Sequence, residues 1–584
     1  MIRTLSKSIR EYKRDSILSP IFVMVEVVMD IAIPFVMNLL LKFGIQAGNT
    51  KMILLYGAVL VAMALIALLF GALSGVCASR ASCGFAKNLR KDMYYKIQDY
   101  SFSNVDKFSS SSLITRMTTD VTFVQNAYQI LIRVAVRCPF MLIFALSMSF
   151  IIGGKLAFIY CVVVPIMFLG LMFILKFAHK IFKGLFKKYD KLNSVVEENI
   201  RGMRVVKSNV SEDKEIEKFE TVSQGIYTDF TKAQKIIALN SPIMQLAMYI
   251  CIIGISFFAS KIIVSTAGSA LSVTDLQTLI TYTSQILMSL MFLSGIFAQV
   301  TISRASAERI CEVLNEESHV KNPKNPIYGV ENGKIEFKNV NFSYTSDQSK
   351  LCLKNINLKI ESGETVGIIG GTGSGKTSLV QLICRLYDVL SGEVLVGDKN
   401  VKDYDLESLR KTVSMVLQKN VLFSGTIREN IQWGKNDATD EEIIHALKLS
   451  QAYNFVHAHK DFLDCHVEQG GANFSGGQKQ RLCIARALVG KPKILILDDS
   501  TSAVDTATDL KIRQAFREFI PETTKIIIAQ RVASVIDADK IVVLDGGEIV
   551  GIGTHSQLME NCQIYNEVYV SQQGGGDFDE SDAE

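Results

Sequence analysis

Apolar positions along this chain fall into two regimes. Six long apolar runs, roughly 17–41, 52–77, 134–152, 156–177, 242–264 and 276–300, dominate the first part. Each approaches or exceeds the ~20 residues that cross ~30 Å of hydrocarbon. Backbone groups in lipid must bond within their own segment, so the runs predict membrane-spanning helices. After the sixth run an ordinary globular mixture takes over, and a shift of that kind marks a domain boundary.

The connections alternate in length. Those at 44–50, 153–155 and 265–275 are short, whereas those after the second and fourth runs are long and basic. Arg80, Lys87, Arg90, Lys91 and Lys96 sit in one; Lys176, Lys180, Lys183, Lys187 and Lys188 sit in the other. Arg3, Lys7, Arg10, Lys13 and Arg14 precede the first run. Basic flanks stay on the cytoplasmic side, so the N-terminus is expected there, and an even number of spans returns the C-terminal part to the same side. The long connections carry helix-forming charged sequence, as at 191–201 and 212–219, with few breakers. About 25 helical residues reach ~38 Å, so each pair of spans is expected to continue as a cytoplasmic hairpin whose tip meets the soluble part. With a charged stretch at 1–16 and so long a first run, no cleavable signal peptide is expected.

Polar residues inside the runs are candidates for chemistry. Glu26 and Asp30 stand four apart, on one face of the first span. Intramembrane acids usually face a bundle interior or wet cavity, which makes the pair a candidate contact for a cationic substrate; an ion pair between helices is the alternative. The sixth run holds Gln277, Thr278, Thr281, Thr283, Ser284, Gln285, Ser289 and Ser294. These residues either line a substrate path, with Thr281 and Gln285 as candidates, or pack helices through small side chains and interhelical hydrogen bonds.

Composition narrows the function classes. Of 584 residues 48% are hydrophobic, and the formal net charge is only +4, so no polyanionic partner is implied. Basic residues are not interleaved with aromatics, and nucleic-acid binding is not expected. The eleven cysteines are scattered without a C-x-x-C pair, which reads as small buried hydrophobes in a reducing compartment.

The C-terminal part carries the strongest motif. After a linker at 316–333 and a strand signal at 334–344, a second strand at 365–369 runs into Gly370, Gly371, Thr372, Gly373, Ser374, Gly375, Lys376 and Thr377. That is G-x-x-x-x-G-K-T in a strand–loop–helix setting, the phosphate-binding pattern. Glycines let backbone N–H groups close on phosphates, Lys376 reaches the β- and γ-phosphates, and the Thr377 hydroxyl suits Mg²⁺. The helix N-terminus that follows favours negative charge. The run from Lys493 to Asp498 reads as a buried strand ending in an acid that holds Mg²⁺ through water.

Phe474, Ser475, Gly476, Gly477, Gln478, Lys479, Gln480 and Arg481 lie between those two motifs and resemble the signature of ATP-binding-cassette (ABC) proteins. Gln418 resembles that family's Q-loop glutamine, a position tied to catalysis and Mg²⁺. Tyr344 resembles its adenine-stacking aromatic, and Ser502, Ala503, Val504 and Asp505 its D-loop. Stretches 112–120 and 202–219 are similar to the cytoplasmic loops of its exporters. The resemblance covers nearly the whole chain and implies an exporter half-transporter of type IV fold. Its parts are an α-helical six-span transmembrane domain over 1–315 and an α/β P-loop nucleotide-binding domain over 334–572. An acidic tail at 573–584 is expected to be disordered.

Two positions depart from the family pattern. Asp499 stands where a glutamate serves as general base, and Gln530 where a switch histidine stands. A carboxylate one methylene shorter shifts a catalytic group by ~1 Å, which costs on the order of 10²-fold. An amide carries no positive charge and shuttles no proton. Both changes in one site imply a site that binds ATP and Mg²⁺ but turns over slowly, while the intact Ser475, Gly476, Gly477 and Gln478 complete a competent site on a second half-transporter. The resemblance therefore points to the degenerate subunit of a heterodimeric bacterial exporter of small lipophilic or cationic compounds in the plasma-membrane bilayer. The competing readings are an ATP-regulated, channel-like protein and a homodimeric lipid or peptide exporter. The absence of a peptidase domain before the first span counts against peptide processing.

Overall fold

A computed structural model describes residues 1–345, 349–500 and 503–574. It divides into two compact units, Met1–Gln98 with Ser109–Glu316, and Asp99–Phe108 with the chain from Glu317 onward. The acidic end of the tail, 575–584, and Ser502 lie outside the described residues.

The first unit is helical throughout, because its apolar runs leave each backbone group only its own helix to bond with. Its long helices are Lys13–Leu39, Thr50–Gln98, Val121–Gly153, Phe158–Ser208, Glu212–Ala238, Asn240–Ser265 and Val273–Asn315. Among the described residues, five stretches are long and apolar enough to cross a membrane: Ile2–Ile45, Thr50–Gln98, Ser110–Ile174, Glu212–Ser265 and Val273–Asn315. The sequence runs predicted six. The difference lies in Ser110–Ile174, where two apolar runs join through a tight turn, Gly154–Ala157, entered by Gly154 at φ 52°. A glycine tolerates that left-handed conformation without steric cost.

Two helices far exceed a bilayer. Thr50–Gln98 has 49 residues and Phe158–Ser208 has 51, each roughly 75 Å long at ~1.5 Å per residue. Phe158–Ser208 folds back on Glu212–Ala238 through a turn containing Val210 at φ 47°. Lys188 meets Asp229 at 2.7 Å and Lys218 meets Glu198 at 2.9 Å along this hairpin. Val27 and Ile31 of the first long helix, Tyr160, Ile255, and Tyr282 and Ile286 of the last form a buried core among the spans.

The second unit is α/β. Its six-stranded sheet has the order Glu548–Gly553, Lys540–Asp545, Thr365–Gly370, Thr524–Ile528, Ile494–Asp498, Val413–Val416. All neighbours are parallel except the first pair. The central strands Ile494–Asp498 and Thr524–Ile528 are buried at every position, as fully covered parallel strands must be. A four-stranded antiparallel sheet, ordered Leu353–Ile360, Ile335–Phe342, Ser391–Val396, Lys399–Asn400, packs beside it. The short helix Phe102–Phe108, which in sequence belongs between two membrane helices, clusters with this unit.

Candidate functional site

Ligands of open parallel sheets bind outside the carboxyl ends of the strands. Four adjacent strands end together here. Thr365–Gly370 delivers the glycine loop, Thr524–Ile528 leads to Gln530, Ile494–Asp498 ends in Asp498 and Asp499, and Val413–Val416 leads to Gln418. Residues scattered over more than a hundred positions thus meet at one sheet edge.

The loop leaves its strand at Gly370, where any Cβ would collide with the Leu544 carbonyl oxygen, and passes Gly373 at φ 82° and Gly375 at φ 97°. Around Gly371 and Gly373 a Cβ would meet nothing within 4 Å, so the loop is open at those two positions. Lys376 and Thr377 open the helix Lys376–Ile383. Lys376 Nζ donates to the carbonyls of Gly370 at 2.8 Å and Gly371 at 2.7 Å, and reaches Ser374 Oγ at 3.4 Å. Burial pulls this ammonium below its ordinary pKa, against the opposing pull of Asp498 and Asp499. A polyanion in the loop fits a cation bonded only to neutral oxygens.

Thr377 Oγ1 donates to Asp498 Oδ1 at 3.2 Å. Asp498 is 2% exposed, and its Oδ2 has no hydrogen-bond partner. An orphaned buried carboxylate oxygen beside a hydroxyl is what an oxygen-coordinated divalent cation fits. Burial pushes the Asp498 carboxyl above its ordinary range, and the Thr377 bond works the other way.

Asp499 adopts φ 48°, a left-handed conformation that aspartate tolerates better than most residues. Gln530 Nε2 donates to its Oδ2 at 2.8 Å. Burial raises this carboxyl, and the Gln418 and Gln530 side chains beside it oppose that rise. Of the sequence-predicted trio Asp499, Gln530 and Gln418, the first two are therefore joined by a hydrogen bond, with the Gln418 side chain beside Asp499.

The signature residues build a helix start. Ser475 caps Gly476–Leu488, its hydroxyl accepting from Gln478 N at 3.4 Å while Gln478 Oε1 accepts from Ser475 N at 2.9 Å. That reciprocal pair satisfies donors a helix start leaves open. A Cβ on Gly477 would lie 2.8 Å from the Ala503 carbonyl, so the D-loop lies tight against this turn. Gln480 Oε1 accepts from Ala503 N at 3.1 Å, and Asp505 caps the next helix, Thr506–Phe519.

Tyr344 is bonded through its hydroxyl to Ser378 Oγ at 2.8 Å and sits edge-on to Tyr387 with ring centroids 5.1 Å apart. Tyr387 in turn donates to Asp106 Oδ2 at 2.6 Å and meets the Phe102 ring. The aromatic at the nucleotide loop is thereby linked to the helix Phe102–Phe108. Sequence reasoning missed Asp106 and Tyr387, which show no periodicity or motif.

In the first unit Glu26 and Asp30 do share a face, and both bond one residue that sequence reasoning passed over. Arg137 donates to Glu26 Oε1 at 2.6 Å and to Asp30 Oδ2 at 2.8 Å. It sits inside an apolar run, where a lone guanidinium signals a carboxylate partner. Gln285 joins the cluster, its Nε2 reaching the Asp30 carbonyl at 3.3 Å. Glu26, 8% exposed, keeps Oε2 without a partner, as does Gln285 Oε1. Thr281 is exposed and donates to the Gln277 carbonyl of its own helix.

Residues 16–290 match the family model described as ABC transporter transmembrane region, and 353–502 the one described as ABC transporter. YfiB of Bacillus subtilis, an uncharacterized ABC transporter ATP-binding protein, is 34% identical over 554 residues, spanning 95% of this chain and 96% of the relative. The chain belongs to the ABC transporters. An uncharacterized ABC transporter ATP-binding protein of Mycobacterium tuberculosis is 32% identical over 577 residues, 98% of each chain. A solved bacterial Atm1-family ABC exporter with ATP bound shares the fold, with a TM-score of 0.82 at 21% identity over 96% of this chain and 98% of that one. This ABC chain is thus a half-transporter, one membrane unit fused to one ATP-binding unit.

Proposed function

We propose that this chain is the degenerate-site subunit of a heterodimeric, ATP-driven exporter working by alternating access. Six spans hold it in a bacterial plasma membrane, with Ser110–Ile174 crossing twice, and with the N-terminus and ATP-binding unit in the cytoplasm. ATP lies against Gly370, Gly371, Thr372, Gly373, Ser374, Gly375 and Lys376, with Tyr344 on the adenine. Thr377, Gln418 and Asp498 hold Mg²⁺, Asp498 through water. Ser475, Gly476, Gly477 and Gln478, with Asp505 behind them, complete the site of a partner half-transporter that carries the consensus glutamate and histidine. Hydrolysis occurs mainly there.

The observation that carries this reading is the bond from Gln530 to Asp499, 2.8 Å. A general base must take a proton from water, and its effect is worth ~10²–10⁴. Here a short carboxylate is occupied by a neutral amide, which relays no such proton. ATP supplies the binding energy that draws two cassettes together; the protein's own residues hold the phosphates and position the acid.

For the cargo we propose small lipophilic compounds, cationic ones included, passing near Glu26, Asp30, Gln285 and Thr281. Arg137 leaves the two carboxylates with one net negative charge, so a cation meets a weaker attraction than the bare pair offers. The test is ATP turnover by the purified chain in lipid. Very weak turnover alone, rising when a half-transporter with the consensus residues is added, is the expected outcome; robust turnover by the chain alone overturns the asymmetric reading.

A further inference from the structure

The C-terminal helix Gln563–Gly574 is anchored by Tyr565, fully buried and bonded through its hydroxyl to His555 Nδ1 at 2.8 Å. Val568 and Tyr569 pack against the core of the unit. One turn further on, Gln572 reaches across to the segment that follows strand Thr524–Ile528. Its Oε1 accepts from Val532 N at 2.9 Å, and its Nε2 donates to the Gln530 carbonyl at 2.9 Å. The two partners fix which way the amide points, since an N–H needs the oxygen and a carbonyl needs the nitrogen. Gln572 therefore spans the backbone on both sides of Arg531. At one end of that span sits Gln530, whose own side chain bonds Asp499.

We infer that Gln572 is a positioning residue for this chain's nucleotide site: the C-terminal helix holds the backbone of the switch segment so that the Gln530 amide stays on Asp499. The inference rests on the reading of Asp499 and Gln530 as site residues. A side chain that only glued the helix down would need no bidentate hold on a single peptide segment. The arrangement gives the C-terminal end of the chain a route to the carboxylate through three side chains and three hydrogen bonds.

The test uses the full-length chain in lipid nanodiscs, as wild type, Gln572→Ala, Gln530→Ala and the double variant. Mg²⁺ and the fluorescent nucleotide TNP-ATP are bound, and release is followed after an ATP chase. Loss of the hold is expected to speed release about fivefold, the change that one typical hydrogen bond represents. The double variant is expected to release at the rate of Gln530→Ala alone, because Gln572 acts through Gln530. Gln572→Glu keeps the acceptor for Val532 but offers no N–H to the Gln530 carbonyl, and is expected to fall with the alanine variant. In the nucleotide-free chain, amide exchange at Val532 should quicken in Gln572→Ala and stay slow in Gln530→Ala. Release at the wild-type rate in Gln572→Ala, or an equal effect in the Gln530→Ala background, overturns the inference. Fast steady-state turnover by the wild type alone would instead sink the degenerate-site reading and leave the Gln572 result standing.

Discussion

At Gly370 the strand carrying the phosphate loop leaves no room for a single carbon: its Cβ would strike the Leu544 carbonyl of the neighbouring strand. Gly370→Ala is expected to cost about 1–3 kcal/mol through forced backbone shifts. Thermal unfolding of the nucleotide-binding unit checks this, and an unchanged melting temperature contradicts it. This glycine was legible in the sequence because its motif names the chemistry. Arg137 was not. Its meaning lies in Glu26 and Asp30, more than a hundred residues earlier, and only packing brings the three together. Arg137→Ala is expected to cost about 2–3 kcal/mol, below the figure for a fully buried pair because the guanidinium is partly exposed. The same substitution with Glu26→Gln and Asp30→Asn should recover part of that loss. Stability in a detergent titration reads both, and equal instability of the single and triple variants would show that the ion pair is not the cause.

Among the elements, the short helix Phe102–Phe108 stands out, since it belongs in sequence to the membrane half yet clusters with the ATP-binding unit. A bond from Tyr387 to Asp106, the Phe102 ring against Tyr387, and Asn104 Nδ2 on the Glu317 carbonyl at 3.0 Å hold it there. A hydrogen bond to a charged group contributes about 1.5–3 kcal/mol. Tyr387→Phe is therefore expected to speed amide exchange in Asp99–Phe108 by about tenfold or more. Unchanged protection would show that the hydroxyl does not hold the helix. Helix-forming charged sequence with few breakers, after the second and fourth apolar runs, predicted the hairpins as elements. That composition did not predict which residues seat them, because single polar contacts leave no compositional trace. The signature shows the converse. Ser475 and Gln478 read as a family motif, and the structure adds that they form a reciprocal cap, so each has a local reason to be there.

In the molecule as a whole, an ABC half-transporter carries its membrane unit and its ATP-binding unit on one chain, and the composition change that separates them was visible at once. Span number was harder to read: two apolar runs joined by a four-residue turn form one continuous stretch, Ser110–Ile174, in helical terms. The sheet edge where the motif residues meet was largely legible, since strand ends and motif residues coincide. Hidden from the sequence was the pairing of its two departures. Asp499 and Gln530 are not independent substitutions but partners in one bond. Slow turnover at this chain's own site is the central claim, and ATP turnover of the Asp499→Glu, Gln530→His double variant against the wild type, with the purified chain in lipid, tests it most directly. A rise on the order of 10²-fold is the predicted result, since the lengthened carboxylate and the protonatable partner restore general-base chemistry. Equal turnover in the two proteins, or a wild type already as fast as the variant, would contradict it.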